Sequence, residues 1–209
     1  MRVLITGFGP FPGAPFNPSA QLVKALLRRR RPALDGVEFG AHVFATTYAA
    51  VDGNLSKLLA QQPDVILLFG LAGRRRHLCI EMRARNAVSQ IFPDADGHKP
   101  RHDVITPGAP VSLQGNAPFM RLLRAARGRF PARLSRDAGT YLCNYVYWQA
   151  LQRTGKGRPL VQFVHIPPLQ LAARRSRKRP SFAQLVNAAE SILVALIAAS
   201  RSGSRQGVS

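Results

Sequence analysis

Residue types suited to nucleophilic catalysis are scarce in this chain of 209 residues, which holds two cysteines and five histidines. Cys143 stands in GTYLCNYVYWQAL, where Gly139 and Thr140 read as loop and the spacing of Val146, Trp148 and Leu151 predicts a helix that starts near the cysteine. A thiol there meets the positive end of the helix macrodipole and several unpaired backbone N–H groups, which favour a thiolate and can receive an oxyanion. His165 closes the apolar run LVQFVHIPPL just before Pro167 and Pro168. Open α/β sheets bind ligands at the carboxyl ends of their strands, so a base in that position can reach a nucleophile on a helix. Glu81, one of ten acidic residues, lies in CIEMRARN among Arg76, Arg83 and Arg85. A carboxylate that orients the imidazole would complete a triad. Each residue also has a plain structural alternative: a small core cysteine, a hydrogen-bonded strand-end histidine, a surface ion pair.

Only a fold can bring these three together. Residues 2–6 form a β-branched run that ends at Gly7 and the loop GFGPFPGAPFNPS, after which 21–27 carry helical spacing. A second strand is predicted at 37–46, a helix at 51–59, and at 65–69 a continuous apolar strand of the kind buried on both faces. Residues 78–112 are less regular. A helix follows at 119–126, then the helix near Cys143, a strand at 160–165 and a last helix from 182 to about 198, with Phe182, Leu185, Val186, Ala189, Ile192, Leu193 and Leu196 on one side. This order predicts an α/β fold: a single-domain three-layer α/β/α sandwich with a mainly parallel twisted sheet. Residues 1–202 are assigned to one domain and 203–209 to a disordered polar tail.

Composition narrows the setting. No run of about 18 uninterrupted apolar residues is present, and MRVLITGFGP lacks the features of a secretory signal, so a cytoplasmic protein with no membrane partner is expected. Cys79 and Cys143 are too few for a disulfide framework. If the segment around Glu81 is extended, Cys79 shares its face, but it is read as a packing residue. His42, His77, His98 and His102 match no zinc spacing, and neither a metal nor a cofactor is expected. The net charge of +20 comes largely from arginine clusters at 28–31, 74–76 and 174–179. Such surfaces bind polyanions through counterion release, so nucleic acid is expected as a non-specific partner only, and no aromatic residues interleave the arginines as a stacking platform would need.

The ordered set of motifs carries more than any one residue. TGFGPFPG and FNPS are similar to TGF-x-PF-x-G and NPS, FGLAGRRR to G-Q-A-G-G-R, FPDADGHKP to I-P-D-x-x-G-x-x-P, and IEMRARN, GTYLCN and VHIP follow in the same order and spacing. Over nearly its full length the chain resembles the pyroglutamyl-peptidase I (pyrrolidone-carboxyl peptidase) family of cysteine peptidases. The resemblance implies hydrolysis of the amide bond after an N-terminal pyroglutamyl residue through a thioester, with Cys143 as nucleophile, His165 as base and Glu81 orienting it. It implies substrate contacts at Phe8, Phe11, Asn17 and position 71, peptides with N-terminal pyroglutamate as partners, and a homo-oligomer, dimer or tetramer. Two positions depart from the pattern. Leu71 replaces the pocket glutamine, and Ile91 stands where the family carries an arginine, for which Arg83 or Arg85 would be the substitute. Weak activity or shifted specificity on the same fold is one alternative, and a catalytically silent, polyanion-binding domain is another.

Overall fold

The computed structural model describes residues 1–11, 13–155, 159–169 and 181–205; the basic cluster at 174–179 lies outside them. The strands predicted from continuous apolar runs are present as β1 (Arg2–Phe8), β3 (Val65–Leu71) and β8 (Leu160–Ile166), with β2 at Glu38–Phe44. Helices α1 (Pro18–Leu27), α2 (Tyr48–Leu59), α3 (Phe119–Arg127), α4 (Leu142–Thr154) and α5 (Phe182–Arg205) follow the predicted order. The region read as irregular contributes two short strands, β4 (Leu78–Glu81) and β5 (Arg83–Arg85); β6 (Ser112–Gln114) and β7 (Ala132–Ser135) follow.

Six strands form one sheet in the order β2-β1-β3-β8-β4-β7, and β5 pairs with β6 apart from it. All pairings in the large sheet are parallel except β4 with β8. Side chains alternate across a strand, so each strand feeds two cores. Val3, Ile5, Leu67, Phe69, Val164 and Ile166 pack under α1, α3 and α5, whereas Leu4, Ile66, Leu68, Val161 and Phe163 pack under α2 and α4. The result is the three-layer sandwich, with the central β3 and β8 buried on both faces.

Helix α5 is long and apolar enough to cross a bilayer by composition. Its stripe is instead used internally, since Leu185, Ala189, Ile192, Leu193 and Leu196 are fully buried against the sheet layer. The helix also continues through Arg205, into the segment whose polar composition predicted a tail. Just before that segment, Ser202 Oγ donates to Ala198 O at 2.9 Å, and the Arg201 guanidinium donates to Ala33 O and Asp35 O at 3.2 and 2.7 Å. Arg31 and Arg29, from the first arginine cluster, reach the buried Glu190 of α5 at 3.0 and 3.7 Å, which ties α1's end to the last helix.

Candidate active site

Register explains how distant residues meet. His165 on β8 stands beside Gly70 of β3 on one flank and Cys79 of β4 on the other, while Glu81 is opposite Phe163. Residues two apart share a face, so Glu81 lies diagonally across the ladder from His165, within side-chain reach. His165 Nδ1 donates to Glu81 Oε1 at 2.8 Å. That leaves Nε2 for Cys143, whose sulfur rests against Gly70, the strand neighbour of His165, close enough to raise the imidazole's pKa. The sulfur is partly exposed and the imidazole is buried.

Cys143 reaches this point because β3 offers no side chain at position 70. A Cβ on Gly70 would lie 2.6 Å from Cys143 Sγ and 2.7 Å from the Phe163 ring, closer than real contacts allow. Gly139, at φ 82, makes the turn that leads into α4, and Cys143 is the second residue of that helix. No side chain caps α4, so its first N–H groups keep their capacity for an anion. Asn144 locks the helix start in place: its Oδ1 accepts from Arg85 N at 2.8 Å, and its Nδ2 donates to Arg85 O and Ala87 O at 2.8 and 2.9 Å.

The electrostatics follow from this packing. Burial alone would pull the His165 imidazole below its ordinary 6.5, but the hydrogen bond and charge of Cys143, with those of Glu81, outweigh it and raise the group to about 9. The ring therefore holds its second proton at neutral pH. Because the folded value exceeds the unfolded one, these contacts contribute stability that is fully present below about pH 6.5 and lost as pH rises through about 9. Glu81 is fully buried; Tyr147 Oη and Gln162 Nε2 donate to its backbone carbonyl at 3.1 and 3.0 Å, and its Oε2 has no hydrogen-bond partner among the described residues.

The other residues singled out from sequence divide into two groups. Phe11 and Leu71 line an open cleft of about 740 Å³ with Phe16, Arg74, Phe92 and Leu169. Leu71 directly follows Gly70 at the carboxyl end of β3. Phe8 is core, with its ring 5.7 Å from that of Phe44, and Asn17 is the cap of α1, with Oδ1 accepting from Ser19 N and Nδ2 donating to Gly9 O. These two shape the base of the loop that carries Phe11. Ile91 is 73% exposed; Arg83 donates to Arg136 O at 2.9 Å, and Arg85 pairs with Asp137 at 3.6 Å. Cys79 is fully buried and accepts from Arg75 Nη1 at 2.8 Å; burial pushes its thiol up, which keeps it neutral. Gly70 and Arg75 lie in the segment similar to G-Q-A-G-G-R and Asn144 in GTYLCN, but the sequence assigns a role to none of the three.

A thiol at a helix start, an imidazole at the carboxyl end of β8 and a carboxylate on the adjacent antiparallel β4 define a cysteine hydrolase on an α/β scaffold. Residues 1–202 match the family model for pyroglutamyl peptidase. The chain is 35% identical over 176 residues to the pyrrolidone-carboxylate peptidase of Pyrococcus furiosus, covering 80% of this chain and 81% of that one. Its structure is similar to the pyrrolidone carboxyl peptidase of Thermococcus litoralis, with a TM-score of 0.83 at 27% identity, covering 93% and 92% of the two chains. It is also similar to pyroglutamyl peptidase I of Bacillus amyloliquefaciens, with a TM-score of 0.80 at 27% identity, covering 94% and 97%. The chain belongs to the pyroglutamyl peptidase family.

Proposed function

We infer that this chain removes N-terminal pyroglutamate from peptides, with Cys143 as nucleophile, His165 as acid and base, and Glu81 as the group that orients the imidazole. The observation that supports these roles most strongly is the single imidazole hydrogen-bonded to Glu81 through Nδ1, with the Cys143 sulfur packed on Gly70 beside it. The thiolate attacks the pyroglutamyl carbonyl, and the oxyanion is received by the free N–H groups at the start of α4, that of Cys143 among them. The C–N bond breaks as His165 gives its proton to the leaving amine, leaving a thioester. His165 then takes a proton from water as the water attacks, and the thiolate departs with free pyroglutamate as product.

The cleft lined by Phe11 and Leu71 suits a lactam, which is small, neutral and apolar on its faces; in this reading Phe8 and Asn17 act by holding that wall. The reading extends to a single peptidase domain over residues 1–202, in a cytoplasm reducing enough to keep the thiol free, and to a homo-oligomer. Release of pyroglutamate, or of a fluorophore from a pyroglutamyl amide, tests it. No release above background from the purified chain would contradict it.

Leu71 favours a second reading on the same machinery. An apolar side chain at the cleft wall cannot hydrogen-bond the lactam, and a lost polar contact costs on the order of 1–3 kcal/mol, or roughly tenfold to a hundredfold in rate. Leu71→Gln is expected to raise kcat/KM for pyroglutamyl amides by about that factor. Unchanged or lower activity would mean that backbone groups already read the lactam.

A further inference from the structure

Arg75 approaches the site from the β4 and β7 side. It sits in the turn after β3, where its backbone N donates to Ala72 O at 3.0 Å, and its guanidinium turns back over β4 and β7. Nη1 donates to Cys79 Sγ at 2.8 Å and to Ser135 Oγ at 3.1 Å, and Nη2 donates to Asp137 O at 3.1 Å. These bonds hold Nη1 at 3.6 Å from Glu81 Oε1, the oxygen that also receives the His165 proton donor. The guanidinium is thus near enough to act on the carboxylate's charge, while the short hydrogen bond stays with the imidazole.

The charge states of the cycle give this arrangement a purpose. While the imidazolium is present, Glu81 is balanced by it. Once His165 has passed its proton to the leaving amine the ring is neutral, and a fully buried carboxylate with one unpartnered oxygen would stand alone. The charged and titratable groups around the pair are Glu81 and Cys79 on β4, Cys143 and Tyr147 on α4, Arg75 beyond β3, and Arg133 and Asp137 on and after β7. Of the two cations in that set, Arg75 is the one in ion-pair range of Glu81. Resting on the catalytic roles inferred above, we propose that Arg75 is a positioning residue that carries part of the Glu81 charge throughout the cycle, so that His165 can surrender its proton to the leaving group.

A guanidinium replaced by a neutral side chain leaves Glu81 with the imidazolium as its sole counter-charge, and the ring then holds its proton more tightly. The experiment compares the parent with Arg75→Met, Arg75→Lys and, as a control, the exposed Arg76→Met, reading kcat and KM across pH together with the His165 titration by NMR. For Arg75→Met the expected result is kcat lower by about tenfold or more at near-constant KM, an alkaline limb and a His165 titration both displaced above the parent's position near pH 9, and intermediate values for Arg75→Lys. Arg76→Met should match the parent. If Arg75→Met does not fold, the lysine variant carries the same comparison. A His165 titration that stays in place, or a loss confined to KM or to thermal stability, would overturn the proposal. The NMR titration needs no turnover, so it decides the role of Arg75 even if the parent proves inactive on pyroglutamyl substrates.

Discussion

The two cysteines flank one imidazole and have opposite chemistry. Cys143 lies over the β3 side of His165, on the uncapped first turn of α4, partly exposed and close enough to raise the ring's pKa. Cys79 lies directly across the ladder on β4, fully buried, with a guanidinium donating to its sulfur. Burial raises the Cys79 thiol more strongly than Arg75 lowers it, so that sulfur remains neutral. The difference teaches that proximity to a base does not make a nucleophile. What separates the two is a helix start with free N–H groups, an opening to solvent, and an electrostatic contact that raises the imidazole.

Four changes test this contrast, beginning with the most damaging. Cys143→Ser removes the thiolate, and pyroglutamyl release should fall by at least about 10⁴-fold with thermal stability kept; retention of appreciable activity would move the nucleophile elsewhere. Gly70→Ala puts a methyl where Sγ and Phe163 now sit. Displacing a reacting atom by about an ångström typically costs about a hundredfold, and kcat of this variant should drop accordingly in steady-state assays, whereas a neutral outcome would mean that the thiol need not rest on β3. The pH profile comes third. Since His165 is held near 9 by its contacts with Cys143 and Glu81, kcat/KM should decline above about pH 9, where the proton for the leaving amine is lost. A decline beginning near 6.5 would show an imidazole without those partners. Smallest of all, Cys79→Ala should leave kcat within about threefold, because a neutral thiol accepts only a weak hydrogen bond; a loss comparable to that of Cys143→Ser would erase the distinction.

How much of this was legible in the sequence depends on the length of the signal. β1, β3 and β8 are continuous apolar runs at the centre of the sheet, and sequence patterning finds such strands readily. The helix start at Cys143 was equally readable, from the loop residues before it and the apolar spacing after it. β4 was not. LCIE is four residues long and ends in a carboxylate that reads as surface, although it is fully buried because its partner arrives from β8, 84 positions away. Arg75 falls on the arginine of the G-Q-A-G-G-R motif, but nothing local tells that its side chain faces β4; the turn after β3 decides that. Asn17 and Phe8 were marked by their motif as substrate contacts, and their hydrogen bonds and packing put them beneath the loop that carries Phe11. The end of α5 lies beyond the helix that the apolar stripe predicts to about 198, since the helix runs to Arg205.

The claim that the fold activates one sulfur and silences the other is tested most directly by alkylation. Native protein treated with iodoacetamide near neutral pH, then digested and mapped by mass spectrometry, should carry one adduct, on Cys143, with pyroglutamyl hydrolysis falling in proportion to its formation. Modification of Cys79 at a comparable rate, or full modification of Cys143 with activity intact, would contradict it.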